Sequence, residues 1–189
     1  KDYVGGAVGI TSRNSKQSNV YVEFASSLDN LTAISAEKYV GGFAGFLLGE
    51  TTFSYVNSFV NLKLIGRNSA LQAGTFYGDI VADTFVGGFA GQIGETGSKS
   101  RVQSCYAKVK LSVNSTDNKT NGTSGGFAGY FYSDSSDIST SYAYAITDIA
   151  VDVKHQNFTQ VAGFVGGINS TTGQILECYS VLGGGEGLI

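Results

Sequence analysis

Few residues in this 189-residue chain have the type and spacing that chemistry needs. The one histidine, His155, lies in the polar stretch Asp152-Val153-Lys154-His155-Gln156-Asn157. With no nucleophile or metal-ligand partner at a recognisable spacing, it reads as a solvated loop side chain and not as a base. No His-Glu-x-x-His pair occurs, so this segment lacks the two-histidine zinc site of a metalloprotease. Glycoside hydrolysis needs two carboxylates flanking one bond at about 5 to 9 Å. Glu50 and Glu95 share a place in two Gly-Glu-Thr turns and are expected to come close, and Asp134 with Asp137 is a conceivable calcium pair. Most acidic residues nevertheless fall in turns, where a solvated carboxylate is the ordinary state, and the ligand-dense Gly-Asp repeats of calcium-binding β-rolls are absent. The expectation is no enzyme: no catalytic, cofactor-binding or metal-ligating residue.

A second kind of chemistry is better represented. Asn-x-Ser/Thr occurs at Asn30, Asn114, Asn118, Asn121, Asn157 and Asn169, where composition alone predicts about two. The excess points to N-linked glycans and to a secreted or cell-surface protein. The net charge of −3 and the lack of a Lys/Arg run exclude a nucleic-acid surface, which needs clustered cations. No apolar run approaches the ~20 residues that span a bilayer, so membrane insertion is not expected. The chain starts at Lys1, which reads as a processed or partial sequence.

The elements that must position these residues come from a repeat. Val40-Gly41-Gly42-Phe43-Ala44-Gly45 recurs as Val4 to Gly9, Val86 to Gly91, Ser124 to Gly129 and Val161 to Gly166. Beyond each copy stands an aromatic residue, taken as Tyr21, Phe59, Tyr106, Tyr142 and Tyr179, often followed by alternation such as Tyr106-Ala107-Lys108-Val109-Lys110-Leu111. Alternation of this kind marks a half-buried strand. Turn-forming stretches separate the two: Thr11 to Ser18, Gly49 to Thr52, Gly94 to Ser100, Ser133 to Asp137 and Asn169 to Gly173. A variable third segment follows, including a strand at Thr75 to Val81 and a polar loop at Asn114 to Thr123. With 27 Gly, no Pro and many β-branched and aromatic residues, the composition favours strands.

Repeats of this size predict an all-β fold, a parallel β-solenoid of about five coils with long variable turns, forming one domain over residues 1–189. The coils are placed at 1–36, 37–82, 83–120, 121–157 and 158–189. Equivalent residues then stack at ~4.8 Å, giving a rod about 20–25 Å long. One column is Ala7, Phe43, Phe89, Phe127 and Phe164; the other is the aromatic series above, on outward parity. The small residues before those aromatics (Val20, Ser58, Cys105, Ser141 and Cys178) form an inner column. Cys105 and Cys178 sit two coils apart in it, ~9 to 10 Å between Cα atoms, too far for a disulfide. Two buried free thiols are expected.

The V-G-G-F-A-G run followed by S-C-Y-A or E-C-Y-S resembles the GLUG-motif repeat of bacterial and protist surface proteins and of non-catalytic regions of some immunoglobulin A proteases. The resemblance covers nearly the whole chain, with Phe where an aliphatic residue is common, and implies an extracellular, non-catalytic repeat region.

Two functions are expected from this architecture. Open strand edges at both ends suit a subunit or segment of a glycosylated filament that self-associates end to end. The alternative is an adhesin whose aromatic ladder binds glycans or a protein.

Overall fold

The computed structural model describes residues 2–24, 31–36, 38–66, 84–115, 122–134, 137–151 and 158–182. Among them every regular element is a strand, and the strands form four parallel ladders of five coils each: a parallel β-solenoid.

The first ladder stacks β1 (Tyr3–Gly5), β6 (Tyr39–Gly41), β10 (Thr84–Gly87), β14 (Gly122–Gly125) and β18 (Phe158–Ala162). The second stacks β2 (Val8–Ile10), β7 (Ala44–Leu47), β11 (Ala90–Ile93), β15 (Ala128–Ser133) and β19 (Val165–Ser170). The third holds β3 (Lys16–Ser18), β8 (Glu50–Thr52), β12 (Arg101–Gln103), β16 (Ser139–Ser141) and β20 (Gln174–Leu176). The fourth holds β4 (Tyr21–Phe24), β9 (Tyr55–Gly66), β13 (Tyr106–Ser115), β17 (Tyr144–Val151) and β21 (Tyr179–Leu182). In the first coil β5 (Leu31–Ala36) runs beside the far half of β9.

The Gly-Gly motif links the first ladder to the second. Gly41 pairs with Gly5 and Gly87, and Gly87 with Gly125. A Cβ on Gly41 would run into the Ala44 carbonyl of its own coil and stand 2.8 Å from the Cα of Ala90 in the next. Close approach of backbones therefore demands glycine here, since any side chain would force coils apart.

The Phe after each pair fills the centre of the rod. Phe43, Phe89 and Phe127 are buried, and successive rings from Phe43 to Phe164 lie 4.8, 4.8 and 4.9 Å apart and nearly parallel. Around them pack Val40, Val86, Ala44, Ala90, Ala128, Leu47, Ile93, Val56 and Ala107.

Four expectations need correction. Two strands of the third ladder, β3 and β8, fall in stretches read as turns, because the strands of this ladder are three residues long and mostly polar, with only the middle residue inward, as Thr51 and Val102 are. Phe59 and Tyr142 are not in the outward aromatic column; Tyr55 and Tyr144 take their places, paired with Tyr106. The offset slips because the link into the third ladder is short in the second coil (Leu48 and Gly49) and long in the third (Gly94 to Ser100). Phe59 instead lies where β9 bulges against β13, between the Asn57–Lys108 and Asn61–Lys110 pairs. The inner column likewise contains Ser54 and Ala143, both buried, and not Ser58 and Ser141. Of the supposed loop at Asn114 to Thr123, Asn114 and Ser115 end β13, while Thr123 is buried and donates its hydroxyl to the Gly129 carbonyl. The strand expected at Thr75 to Val81 lies outside the described residues.

Candidate functional site

Between the third and fourth ladders every coil turns on one residue in the left-handed region: Asn19 (φ 56°), Phe53 (48°), Ser104 (53°), Tyr142 (50°) and Glu177 (50°). None is glycine. A non-glycine residue there carries roughly 1–2 kcal/mol of strain, least for Asn and most for bulky side chains. Hydrogen bonds lock the five into a column: the amides of Asn19, Phe53, Ser104 and Tyr142 donate to the carbonyls of Thr52, Gln103, Ser141 and Leu176 in the following coil, at 3.1 to 3.2 Å. Two residues on, the direction reverses, and the amides of Tyr55, Tyr106, Tyr144 and Tyr179 donate to the preceding coil. The left-handed corner accomplishes that reversal.

Those tyrosines, with Tyr21, make a continuous stack on the outer face of the fourth ladder. Ring centroids lie 5.0, 4.4, 4.9 and 5.1 Å apart from Tyr21 through Tyr55, Tyr106 and Tyr144 to Tyr179. Partial desolvation, reinforced by neighbouring phenols, raises the pKa of Tyr55 and Tyr144. The stack changes what the column can do. A sugar binds an aromatic ring through its face, and here the inner faces are covered by the next coil, leaving edges and hydroxyls outside. Within the ladder the ring faces serve packing between coils.

Phe53 and Tyr142 differ. They are 50% and 55% exposed, and among the described residues neither ring stacks on another aromatic. Tyr142, expected in the ladder, stands at the corner instead, as does Phe53, and a non-glycine aromatic at a strained corner is visible only once the corner's φ is known.

The other candidates resolve into ordinary surface chemistry. Glu50 pairs with Lys16 at 3.1 Å and stands in register with Arg101, while Glu95 takes Arg13 at 2.8 Å, bridging the first and third coils. Each carboxylate is matched to a cation. Asp134 accepts the Gly97 amide at 3.2 Å, and Asp137 is exposed. Among the described residues no group of three His, Cys, Asp or Glu side chains could hold a metal ion. His155 lies outside them.

Both cysteines are free. Cys105, 1% exposed, has its pKa pushed up to about 12 by desolvation and hydrogen-bonds the Gln103 carbonyl at 3.2 Å. Cys178, expected to be buried, is only half-buried, because no coil follows it among the described residues; desolvation still raises its pKa. Ala143 separates the two in the column, its carbonyl accepting the Tyr179 amide while Cys105 accepts that of Tyr144. Two strand spacings lie beyond disulfide reach.

Asn169 is exposed near the end of β19, in register with Tyr132, and Asn114 lies in β13. Asn30, Asn118, Asn121 and Asn157 lie outside the described residues.

Comparison with protein-family models, curated proteins and solved structures finds no match to this chain.

Proposed function

We propose that the chain is an extracellular structural solenoid, N-glycosylated on its surface, that builds a fibre by stacking end to end. One observation carries this reading: among the described residues all four ladders run from β1 to β4 on one side to β18 to β21 on the other, and a further coil set against either side would meet four parallel strand edges with backbone donors and acceptors. Such edges template further pairing. The side chains at the two ends are complementary in type. Head-to-tail stacking would set Tyr179 of one copy against Tyr21 of the next, prolonging the tyrosine stack, and Val165 against Val8. The sequon excess and the resemblance to surface repeats support the extracellular setting.

Electron microscopy and light scattering on the purified chain test this. The expected result is fibres one solenoid wide, disrupted by the double variant Tyr21→Lys/Tyr179→Lys, which sets two ammonium groups against each other at each joint. A wild-type chain that stays monomeric at concentrations on the order of 100 µM overturns it.

A further inference from the structure

We propose that Phe53 and Tyr142 form a clamp over Ser104 that binds one pyranose ring of a neutral glycan. The site is separate from the strand edges invoked for assembly and stands or falls independently of them.

Three features of the corner column point to it. Asn19 is the residue type that a left-handed corner favours, whereas Phe53 and Tyr142 are among the least suited to it. Both rings are half exposed, so internal packing does not account for their presence. Aromatic residues that local backbone preference opposes and core packing does not use are candidates for contact with something outside the chain.

The spacing then selects the ligand. The Phe53 amide bonds Gln103 and the Ser104 amide bonds Ser141, both at 3.1 Å, which fixes Phe53, Ser104 and Tyr142 on three consecutive coils. The two aromatic residues therefore stand two strand spacings apart, ~9.6 Å, with a small side chain between them. A flat aromatic guest between two rings needs about 7 Å, two contacts of ~3.5 Å. A chair-form pyranose is thicker; with carbon contacts near 4 Å on each face it needs about 8 to 9 Å, within reach of slight leaning by the two side chains. Rings inside the tyrosine stack have their faces covered by neighbouring coils, whereas Phe53 and Tyr142 stack on no aromatic ring among the described residues.

The rim suits uncharged hydroxyls. Thr52, Gln103 and Ser141 stand in register on the ladder just before the corner, and Tyr55, Tyr106 and Tyr144 on the ladder just after it. These six side chains are polar and carry no formal charge, so nothing in them selects an anionic sugar.

The test is retention on an array of neutral hexose oligosaccharides, followed by NMR titration with the best-retained one. Wild-type protein is expected to bind with a Kd on the order of 1 mM. Phe53→Asn and Tyr142→Asn should each weaken binding at least tenfold while leaving the melting temperature unchanged or higher, a combination that a structural role for the rings does not produce. Ser104→Phe, which fills the slot and leaves both rings in place, should also abolish binding. Absence of neutral-glycan binding in the wild type overturns the proposal. So does binding that survives all three substitutions, or retention of proline-rich or aromatic peptides in place of sugars.

Discussion

Ala162 stands in the last coil where Gly125 stands in the one before, the two residues paired across β14 and β18. A Cβ on Gly125 would meet the Ala128 carbonyl and lie 2.5 Å from the Phe164 oxygen and 2.7 Å from the Gly166 nitrogen. Both the turn of its own coil and the approach of the next forbid a side chain. Gly125→Ala should cost about 3 kcal/mol, the upper part of the overpacking range, and lower the melting temperature by roughly 6–12 °C for a chain of this size. A change within 1 °C would show that coil spacing does not depend on these glycines.

The same comparison predicts an asymmetry in assembly. Ala162 puts a methyl group where an incoming coil would place its Phe-Ala backbone, so a joint at the fifth coil cannot copy the internal ones. Ala162→Gly should promote fibre growth, seen as a lower critical concentration by light scattering. An unchanged critical concentration would mean that copies join without using this ladder.

How much of this was legible in advance depended on how each residue announces its place. Gly41, Phe43 and their counterparts recur in a fixed order, and five copies identify both the solenoid and the central Phe column. Tyr55 and Tyr144 were obscured because a plausible aromatic lay nearby, at Phe59 and Tyr142, and the preceding link differs in length between coils. The third ladder was hidden by its polarity: Lys16-Gln17-Ser18 and Glu50-Thr51-Thr52 look like turns, and only stacking on neighbouring coils makes them strands. The corner of Phe53 and Tyr142 had no signal at all, since glycine is the usual marker of a left-handed residue and none is used there.

Two buried hydroxyls mark places where the core can be improved. Ser124 and Thr140, both 0% exposed, have side-chain oxygens with no hydrogen-bond partner. Ser124 pairs with Val86 and Val161, and Thr140 with Val102 and Ile175. Thr140→Val is nearly isosteric and removes an unpaired polar atom, so it should stabilise by about 1 kcal/mol. Ser124→Val should do likewise, filling a position that valine occupies in the neighbouring coils. Denaturant melts giving no increase in midpoint for Thr140→Val would indicate a partner for its hydroxyl.

Cys105 sets a limit on alkaline stability. Its thiol titrates at about 12 in the folded protein against 9.0 ordinarily, because burial penalises the thiolate. Between those values the unfolded chain loses a proton that the folded chain keeps, so stability falls as pH rises. The contribution is complete below pH 9 and erodes above it, at up to about 1.4 kcal/mol per pH unit for one such group. Cys105→Ala should flatten the decline between pH 9 and 11 relative to wild type. At pH 8 a thiol reagent should modify half-buried Cys178 well before Cys105; equal rates would contradict the burial difference.

The Phe stack predicts that position along the rod matters as much as residue type. Phe89 lies between Phe43 and Phe127, both 4.8 Å away and within 3° of parallel, and is fully buried. Phe164 has one described ring neighbour, Phe127, and is only partly buried. In a solenoid each coil is held chiefly by its neighbours, so stability approximates a sum of coil and interface contributions. Phe89→Ala empties two interfaces and should cost about 4–5 kcal/mol, whereas Phe164→Ala weakens one and should cost about half as much. Phe89→Ala should also separate the unfolding of the two ends, detectable by hydrogen exchange as loss of protection spreading from the third coil. If both substitutions cost the same and unfolding remains a single step, the rod behaves as one cooperative core and not as stacked coils.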